Sequence, residues 1–508
     1  MDYLKNIFLY SEDTPLLFTQ FYFWAFFAFL LLIYSAIYQK KATRNTFLFV
    51  MSLFFYYKSG GYFFSLLIFS TIVDYFLGKS IYFAKSKFRK KLYLTLSILT
   101  NLGLLSYFKY AYFYTDVINQ IFNTDFEVIN VLAKWANDIA GRNFNVSNII
   151  LPVGISFYTF QTISYTVDVY RGKVKPVKNI IDFGFYVSFF PQLVAGPIVR
   201  AAEFVPQLYK DYKLTFEEIG GAIFLVMNGL VKKMLISDYI SINFVDRVFE
   251  NPASYSGFEN LMAVYGYSIQ IYCDFSGYTD IAIGVALLLG FRLPLNFNSP
   301  YKAMNITDFW RRWHISLSSW LRDYLYIPLG GSKKGKTRTY INLMITMLLG
   351  GLWHGANYRF IIWGGLHGLG LAFHKLWIKI FRNNKDINYS RNKFTRFISI
   401  FLTFHFVTFS WIFFRAGNMQ DVYTMFHNIF CNMQFQLIPE MIISYKIIFG
   451  IMLIGIIFHW LPSGWKNYYR DVFIGMPYFV KILIVVVMVF ILYQSKSSEI
   501  QPFIYFQF

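Results

Sequence analysis

A run of twenty residues, Thr19-Gln-Phe-Tyr-Phe-Trp-Ala-Phe-Phe-Ala-Phe-Leu-Leu-Leu-Ile-Tyr-Ser-Ala-Ile-Tyr38, contains no charged side chain. An α-helix needs about twenty mostly apolar residues to cross a bilayer. The run follows Glu12 and Asp13, and no small-residue cleavage site comes after it. A secretory signal peptide has a basic start and such a site, so we predict a retained membrane span.

The composition extends this prediction to the whole chain. Of its 508 residues, 56% are hydrophobic and only 15% are charged, and the mean hydropathy is +0.42. A water-soluble domain has about 25% charged residues and could not bury so much apolar surface. The net charge of +20 lies in short basic clusters between apolar segments, so we expect no nucleic acid partner. Cys273 and Cys431 show no metal-ligand or disulfide spacing.

Further apolar runs predict an all-α polytopic membrane protein, with about eleven crossings and a single domain over residues 1–508. Lys58-Ser-Gly-Gly61 interrupts the first of these runs, which therefore forms either a tight hairpin or a re-entrant pair. The runs lie near residues 46–78, 92–114, 150–170, 182–199, 219–242, 261–290, 339–352, 358–380, 397–416, 444–460 and 476–494.

The basic clusters predict the orientation of the chain, because short cytoplasmic loops are rich in Lys and Arg. Lys40, Lys41 and Arg44 follow the first span, which places the N-terminus outside. Clusters at 85–91, 171–178 and 333–338 should also be cytoplasmic. The last two clusters require an even number of crossings between them, whereas three apolar runs lie there, so one run should be re-entrant or folded back.

Residues 305–326 are too charged to cross the membrane, yet they are periodic. At about 100° per residue, the apolar side chains of this segment fall on one helical face and Arg312 falls on the other. We expect an amphipathic helix in the membrane interface that begins near Thr307 or Asp308. His314 lies at the edge of its apolar face.

His354 follows a predicted span in Gly350-Gly-Leu-Trp-His-Gly-Ala356. An ionisable group at membrane depth is a functional candidate, and imidazole suits general-base chemistry. The alternative for His314 and His354 is a structural histidine bonded to a neighbouring helix. His367 and His374 could join His354 in a metal site, but no carboxylate or Cys lies at ligand spacing, so we predict no metal. The remaining histidines should be structural: His405, His427 and His459.

Asp274 and Asp280 lie within apolar sequence in Tyr272-Cys-Asp-Phe-Ser-Gly-Tyr-Thr-Asp280. We expect them to pair with Arg311 or Arg322 and so to hold the amphipathic helix, with a polar path as the alternative.

Several motifs together resemble the membrane-bound O-acyltransferase (MBOAT) family, and its bacterial alginate O-acetylation branch in particular. The resemblance covers nearly the whole chain in the expected order, and the motifs are specific as a set. They are Ser156-Phe-Tyr-Thr-Phe-Gln-Thr-Ile-Ser-Tyr-Thr-Val-Asp-Val-Tyr-Arg-Gly172, Phe189-Phe-Pro-Gln-Leu-Val-Ala-Gly-Pro197, Tyr272 to Asp280, Phe309-Trp-Arg-Arg-Trp-His-Ile-Ser-Leu-Ser-Ser-Trp-Leu-Arg-Asp-Tyr-Leu-Tyr-Ile-Pro-Leu-Gly-Gly331, Gly350 to Ala356 and Phe503-Ile-Tyr-Phe-Gln-Phe508.

The resemblance implies a ring of helices around a central tunnel that opens to both faces of the membrane. It also implies that His354 is the catalytic histidine and that His314 is the second functional histidine. An acyl group, an acetyl group for this branch, would pass from cytoplasmic acetyl-CoA to an extracytoplasmic polysaccharide such as alginate. The resemblance further implies a bacterial cytoplasmic membrane location and an extracytoplasmic acetyltransferase partner. No bound cofactor is expected.

Other assignments stay open at this point. Peptidoglycan O-acetylation and D-alanyl transfer to teichoic acid are alternatives for the acceptor and the acyl group, and a transporter without chemistry is the non-enzymatic alternative. Basic residues near the amphipathic segment either attract the phosphates of the donor or serve only as cytoplasmic anchors. These residues are Arg311, Arg312, Lys333, Lys334 and Lys336.

Overall fold

The structure is a computed structural model, and it describes residues 9–11, 15–141, 145–381, 392–494 and 503–504. Every regular element in these ranges is helical, which confirms the all-α class for the described part of the chain. The α-helices are α1 Phe21–Ile37, α2 Lys41–Gly60, α3 Phe64–Phe83, α4 Lys87–Leu105, α5 Ala111–Phe122, α6 Val131–Ala140, α7 Ile155–Tyr170, α8 Ile180–Ser188, α9 Phe190–Leu193, α10 Ala201–Leu208, α11 Phe216–Leu230, α12 Asp246–Glu250, α13 Gly257–Leu288, α14 Ile306–Arg312, α15 Ile315–Leu321, α16 Lys336–His354, α17 Tyr358–Phe381, α18 Lys393–Arg415, α19 Met419–Cys431, α20 Ile438–Ser444, α21 Lys446–Trp460, α22 Ser463–Gly475 and α23 Tyr478–Gln494.

Four helical segments in the described ranges are long and apolar enough to cross a membrane, which makes the chain a multi-pass membrane protein. The number becomes six if each of two bent helix pairs, α20 with α21 and α22 with α23, is one span. The prediction of about eleven crossings, like that of a ring around a tunnel, stays a prediction. The four segments are Lys41–Phe83, Phe216–Glu250, Gly257–Leu288 and Lys393–Arg415.

Some predicted spans are occupied by shorter or broken helices. The run at 150–170 forms the 16-residue helix α7. The run at 182–199 forms α8 and α9, which are separated at Phe189, and Pro191 lies at the start of α9. Proline has no backbone N–H and fixes φ, so this helix cannot continue as one straight span.

Helix α13 is the central element of the bundle. Ser256 and Glu259 form a capping box at its start, and most of its 32 residues are buried. It packs closely on α11, because a Cβ at Gly277 would lie only 2.7 Å from the carbonyl oxygen of Gly229. The helix thus supplies a continuous buried wall in the middle of the protein.

The buried apolar side chains form two clusters. The first contains residues of α1, α7 and α8 together with Leu317, Trp320 and Trp353. The second contains residues of α17, α18 and α19 together with Trp310 and Trp313. Both clusters reach the 305–326 segment and the end of α16, so this part of the chain lies at their boundary.

Candidate active site

His354 is the last residue of α16 and is buried, with 3% of its surface exposed. Three aromatic rings surround the imidazole: the centroids of Trp353, Trp363 and Phe414 lie 4.9, 5.1 and 5.2 Å from that of His354. The helix is held against α17 at Gly351, where a Cβ would overlap the carbonyl oxygen of Phe360. This close approach of two backbones fixes the position of the last turn of α16.

Lys109 holds the same turn from the other side. Its Nζ donates to the carbonyl oxygens of Trp353 at 2.7 Å and of His354 at 3.1 Å. Tyr110 adds a third bond, since its hydroxyl donates to the carbonyl oxygen of Leu352 at 2.9 Å. The last carbonyls of a helix have no partner within the helix, and a cation there is favourable. Sequence reasoning missed Lys109, although a lysine inside the 92–114 run was a detectable signal.

A small cavity of about 70 Å³ lies directly beside His354. One water molecule occupies about 30 Å³ in the liquid, so the cavity has room for about two waters. It gives a small polar group access to the buried imidazole. Its lining consists of Lys109, residues 151–157, Val194, Trp353 and His354.

His314 lies at a break between α14 and α15, not within a continuous helix as the periodicity predicted. Its φ is +44°, in the left-handed region that side chains other than glycine rarely occupy. The physical reason is a second backbone partner: Asn298 N–H donates to Arg312 O, and Ile315 N–H donates to Asn296 O, both at 2.9 Å. These bonds replace the i to i−4 bonds that would continue the helix through His314.

The apolar face of the segment packs inside the protein. The side chains of Trp310, Trp313, Leu317 and Trp320 are buried in the two core clusters. The location of the segment at the membrane interface stays a prediction. The helix begins with Asn305, whose side chain accepts the N–H of Asp308, so the predicted cap at Thr307 or Asp308 is wrong.

Asn296 fixes the orientation of the His314 ring. Its Oδ1 lies 3.1 Å from Nδ1 of His314 and accepts from both the backbone N–H and the hydroxyl of Ser316, at 3.2 and 2.9 Å. A backbone N–H can only donate, so Oδ1 is the amide oxygen and Nδ1 of His314 donates to it. In a neutral ring the lone pair then belongs to Nε2. No sequence signal identified Asn296.

One indole joins the two histidines. The Trp353 ring lies 6.2 Å from the His314 ring and 4.9 Å from the His354 ring, centroid to centroid, so the two imidazoles are within about 11 Å of each other. Phe275 of α13 packs edge-on against His314 at 4.7 Å. The structure therefore brings both predicted histidines to one aromatic site at the boundary of the two core clusters.

Residues 503–504 close the site on the side of α13. The Phe503 ring packs on Phe275 and Tyr278 at 5.4 and 4.8 Å, and the N–H of Ile504 donates to Oδ2 of Asp274 at 3.0 Å. The other four residues of the terminal motif, 505–508, lie outside the described residues.

The predicted partners of Asp274 and Asp280 are wrong. Asp274 pairs with Lys233, which also bonds Asp238 at 2.8 Å, and Asp280 accepts from Lys232 at 2.7 Å. Both lysines follow α11 in a π-helical turn that faces α13. The aspartates thus join two long helices and do not hold the 305–326 segment.

The predicted donor-binding cations lie on the surface or in an ion pair, and their role in donor binding stays a prediction. Arg311 is exposed and Arg312 pairs with Asp308 at 2.8 Å. Three exposed lysines, Lys333, Lys334 and Lys336, lie at the start of α16. A 19-residue helix is about 27 Å long, so His354 at its far end is out of their reach.

A different basic group surrounds the end of the 305–326 segment. Arg200 forms an ion pair with Asp323 at 2.8 Å, and Arg171 donates to the carbonyl oxygen of Asp323 at 3.2 Å. Both guanidinium groups lie 5.4 Å from the centroid of the Tyr324 ring. Partial burial raises the pKa of Asp323, but hydrogen bonds from Arg322 and Arg200 outweigh it and hold the pKa below its usual value.

Other histidines have ordinary structural contacts. His367 bonds Ser410 Oγ at 3.0 Å, His374 bonds Thr307 Oγ1 at 2.8 Å and His405 bonds the Tyr265 hydroxyl at 2.8 Å. His427 is exposed and stacks on Tyr423. Within the described ranges, no group of three or more His, Cys, Asp or Glu side chains could hold a metal ion.

The fold and the site define a polytopic helical membrane protein with two buried histidines beside one tryptophan. Residues 177–414 match the model of the MBOAT, membrane-bound O-acyltransferase family. The chain is 35% identical over 489 residues to the probable alginate O-acetylase AlgI of Pseudomonas putida, which covers 92% of this chain and 94% of that protein. The chain therefore belongs to the membrane-bound O-acyltransferase family, and it is an acyltransferase.

Two further relatives agree with this assignment. The probable alginate O-acetylase AlgI of Pseudomonas aeruginosa is 40% identical over 71% of this chain, and the aligned region is 64% of that protein's length. The peptidoglycan O-acetyltransferase of Helicobacter pylori is 36% identical over 82% of this chain and 79% of that protein.

Proposed function

We propose that this protein transfers an acetyl group from a cytoplasmic thioester towards an extracytoplasmic polysaccharide, as the first membrane step of polysaccharide O-acetylation. The observation that carries the proposal is the pair of buried imidazoles on the Trp353 ring, in a chain of this family. Alginate is the acceptor that two of the relatives' names favour, and peptidoglycan is the second candidate, which the name of the Helicobacter pylori relative supports.

His354 acts as the general base in this proposal. It accepts the proton of an acceptor hydroxyl while the hydroxyl oxygen attacks the thioester carbonyl carbon. The carbon–sulfur bond then breaks, and the sulfur leaves as a thiol with the proton that the imidazole returns. The small cavity beside His354 supports this role, because it admits a polar group to a ring that is otherwise enclosed by aromatic side chains.

His314 orients the reactants. Sequence reasoning left two roles for it, positioning of the donor and donation of a hydrogen bond to the oxyanion. The bond from Nδ1 to Asn296 favours the first role, because Nε2 of a neutral ring then accepts a hydrogen bond and cannot donate one. The left-handed backbone at His314 supports a functional reason for this residue, since such conformations are retained at active sites despite their cost.

The donor in this proposal is acetyl-CoA, which approaches from the cytoplasmic side of a bacterial cytoplasmic membrane. Arg171, Arg200 and Arg322 lie together at the end of the 305–326 segment and supply positive charge where the donor would enter. They join the candidates for phosphate contacts that the sequence indicated, which are Arg311, Arg312, Lys333, Lys334 and Lys336. An extracytoplasmic acetyltransferase would complete transfer to the polymer.

The test uses membrane vesicles that contain the protein and are supplied with acetyl-CoA carrying a labelled acetyl group. We expect label in a polysaccharide fraction when the partner enzyme is present, and no transfer in the His354→Ala variant. Label in glycan strands of peptidoglycan would select the second candidate. Thioester that is never consumed by the wild-type protein, with any acyl donor including a D-alanyl carrier, would contradict the proposal and leave transport as the function.

A further inference from the structure

A second cavity lies between helices of the bundle and is distinct from the cavity beside His354. It has a volume of about 550 Å³, within the range of roughly 300–1,000 Å³ that is typical of ligand pockets. It shares no lining residue with the cavity beside His354. Helices α13, α18 and α21 form its walls, with Met262, Tyr265, Ile269, Phe404, Met452 and Leu453 among the side chains.

The cavity faces the surroundings of the helix bundle. Three of its lining residues on α21, Leu453, Ile456 and Trp460, have 57%, 39% and 42% of their surface exposed. Two of its walls, α13 and α18, are membrane-span candidates. An apolar cavity that opens sideways within a bilayer is in contact with acyl chains, and a chain that enters it recovers dispersion contacts that an empty cavity lacks.

Two lysines lie at one end of this cavity, beside His459 and Trp460. Lys302 follows the lining residue Tyr301, and its Nζ donates to the carbonyl oxygen of Leu461 at 2.7 Å. Lys466 donates to the carbonyl oxygen of His459 at 2.9 Å and to Ser299 Oγ at 3.2 Å. Both ammonium groups are therefore anchored within two residues of the same end of α21.

These lysines carry positive charge that no carboxylate in the described ranges neutralises. Among the residues that the structure describes, neither Lys302 nor Lys466 forms an ion pair, in contrast to Lys232 and Lys233 nearby. Lys302 and Lys466 repel each other electrostatically, and Arg396 near the start of α18 adds a third positive charge beside Lys302. Cations concentrated at one end of membrane helices are typical of the cytoplasmic side.

We propose that this cavity binds one anionic phospholipid of the cytoplasmic leaflet, with an acyl chain between α13, α18 and α21 and the phosphate on Lys302 and Lys466. An ammonium group has three N–H donors. The contacts described above use one donor of Lys302 and two of Lys466, so each lysine can also bond a phosphate oxygen. Basic pockets between membrane helices on the cytoplasmic side bind anionic headgroups in this way.

The test measures which lipid stays bound to the purified full-length protein. The protein is reconstituted with equal amounts of phosphatidylglycerol and phosphatidylethanolamine, washed in mild detergent and analysed by native mass spectrometry. We expect phosphatidylglycerol to be enriched about tenfold over phosphatidylethanolamine. The double variant Lys302→Gln with Lys466→Gln should lose this preference, whereas Lys87→Gln, an exposed lysine at the start of α4, should keep it.

A second variant tests the acyl-chain part of the site. Ile456→Trp places a large ring at the rim of the cavity and should reduce retention of both lipids, without a change in the elution volume of the protein. This variant and the single change Lys466→Gln decide the matter if the double variant does not fold. Equal retention of the two lipids by the wild type, an unchanged preference in the glutamine variants, or displacement of the lipid by free coenzyme A would overturn the proposal. None of these outcomes depends on acyl transfer.

Discussion

Two regions of the molecule contact consecutive residues of α13, Asp274 and Phe275, and they are built by different rules. In the first region, Asp274 forms a buried ion pair with Lys233, which is shared with Asp238. In the second region, the adjacent Phe275 packs against the imidazole of His314. Opposite charges are brought into contact in the first region, whereas aromatic rings and one amide surround the imidazoles in the second.

We expect the ion pair to support the fold and the imidazoles to support the chemistry. A buried ion pair contributes little more to folding stability than a well-packed apolar pair. Removal of one partner, however, leaves an uncompensated charge and costs roughly 3–5 kcal/mol. The imidazoles are enclosed by rings that would remain packed on one another if an imidazole were replaced. We therefore expect changes at Lys233 to reduce folding and changes at His354 to reduce activity.

The largest expected effect is the loss of activity on replacement of His354. His354→Ala and His354→Gln should both lower acyl transfer by roughly 10² to 10⁴-fold, because neither side chain can act as the base. Glutamine fills most of the space of the imidazole, so its melting temperature should stay close to that of the wild type. His427→Ala, at an exposed histidine, is the matched control and should transfer at the wild-type rate. Substantial acyl transfer by both His354 variants would contradict the assignment of His354 as the general base.

The second effect is a loss of stability at the Lys233 ion pair. Lys233→Met should destabilise the protein by roughly 3–5 kcal/mol, since the buried Asp274 carboxylate loses its main partner. The double variant Lys233→Met with Asp274→Asn should recover part of that loss, because one of the two carboxylates that Lys233 neutralises is then removed. Fluorescence-detected size-exclusion chromatography after heating measures the stability of the single and the double variant. If the Lys233→Met protein were fully stable but inactive, the ion pair would have a role in catalysis and not in folding.

A smaller effect is expected at Asn296, which positions His314. Asn296→Ala should lower kcat by roughly 10 to 100-fold, if the loss resembles that found for partners that orient metal-bound histidines. Asn296→Asp keeps an oxygen at the same place and should restore part of the rate. Asn243→Ala, at a half-buried asparagine on a distant turn, serves as the control. A change in stability without a change in the pH profile of transfer would show that Asn296 is only structural.

The smallest effect concerns the partly exposed ion pair of Asp323. Its pKa in the folded protein is below its usual value of about 3.9, so its ionised form stabilises the fold at neutral pH. Asp323→Asn should cost about 1 kcal/mol or less at pH 7, because the pair is partly exposed. As the pH falls from about 4 through the lowered pKa, wild type and variant should converge in melting temperature. A difference in melting temperature that grows as the pH falls would contradict the expectation that ionised Asp323 stabilises the fold.

The sequence predicted the class of the fold and the burial of His314 and His354, because hydrophobic length and ionisable groups within apolar sequence are local signals. The catalytic role of the two histidines stays a prediction. The apolar runs required a helical membrane protein, and His314 and His354 are buried beside the Trp353 ring. The break at His314 could not be read from periodicity. It depends on backbone bonds to residues 296–298, and such pairing has no counterpart in the side-chain pattern.

The sequence also failed to identify side-chain partners that are distant along the chain. Lys109 bonds carbonyls that are 244 and 245 residues away in the sequence, and Asn296 is an ordinary asparagine in a loop. Asp274 was assigned to an arginine of the nearby 305–326 segment, although Lys233 lies directly across from it on the neighbouring helix. A lysine inside an apolar run indicates that a partner exists, but only the packing of helices identifies that partner.

The left-handed backbone at His314 limits which residues can replace this histidine without disturbing the fold. Glycine adopts such a conformation without strain, but His314 is fully buried, so His314→Gly would leave a cavity that costs more stability than the relieved strain returns. Asparagine is more tolerant of the left-handed region than most residues, and it fills part of the space of the imidazole. His314→Asn is therefore the replacement that removes the ring with the least disturbance of the neighbouring backbone.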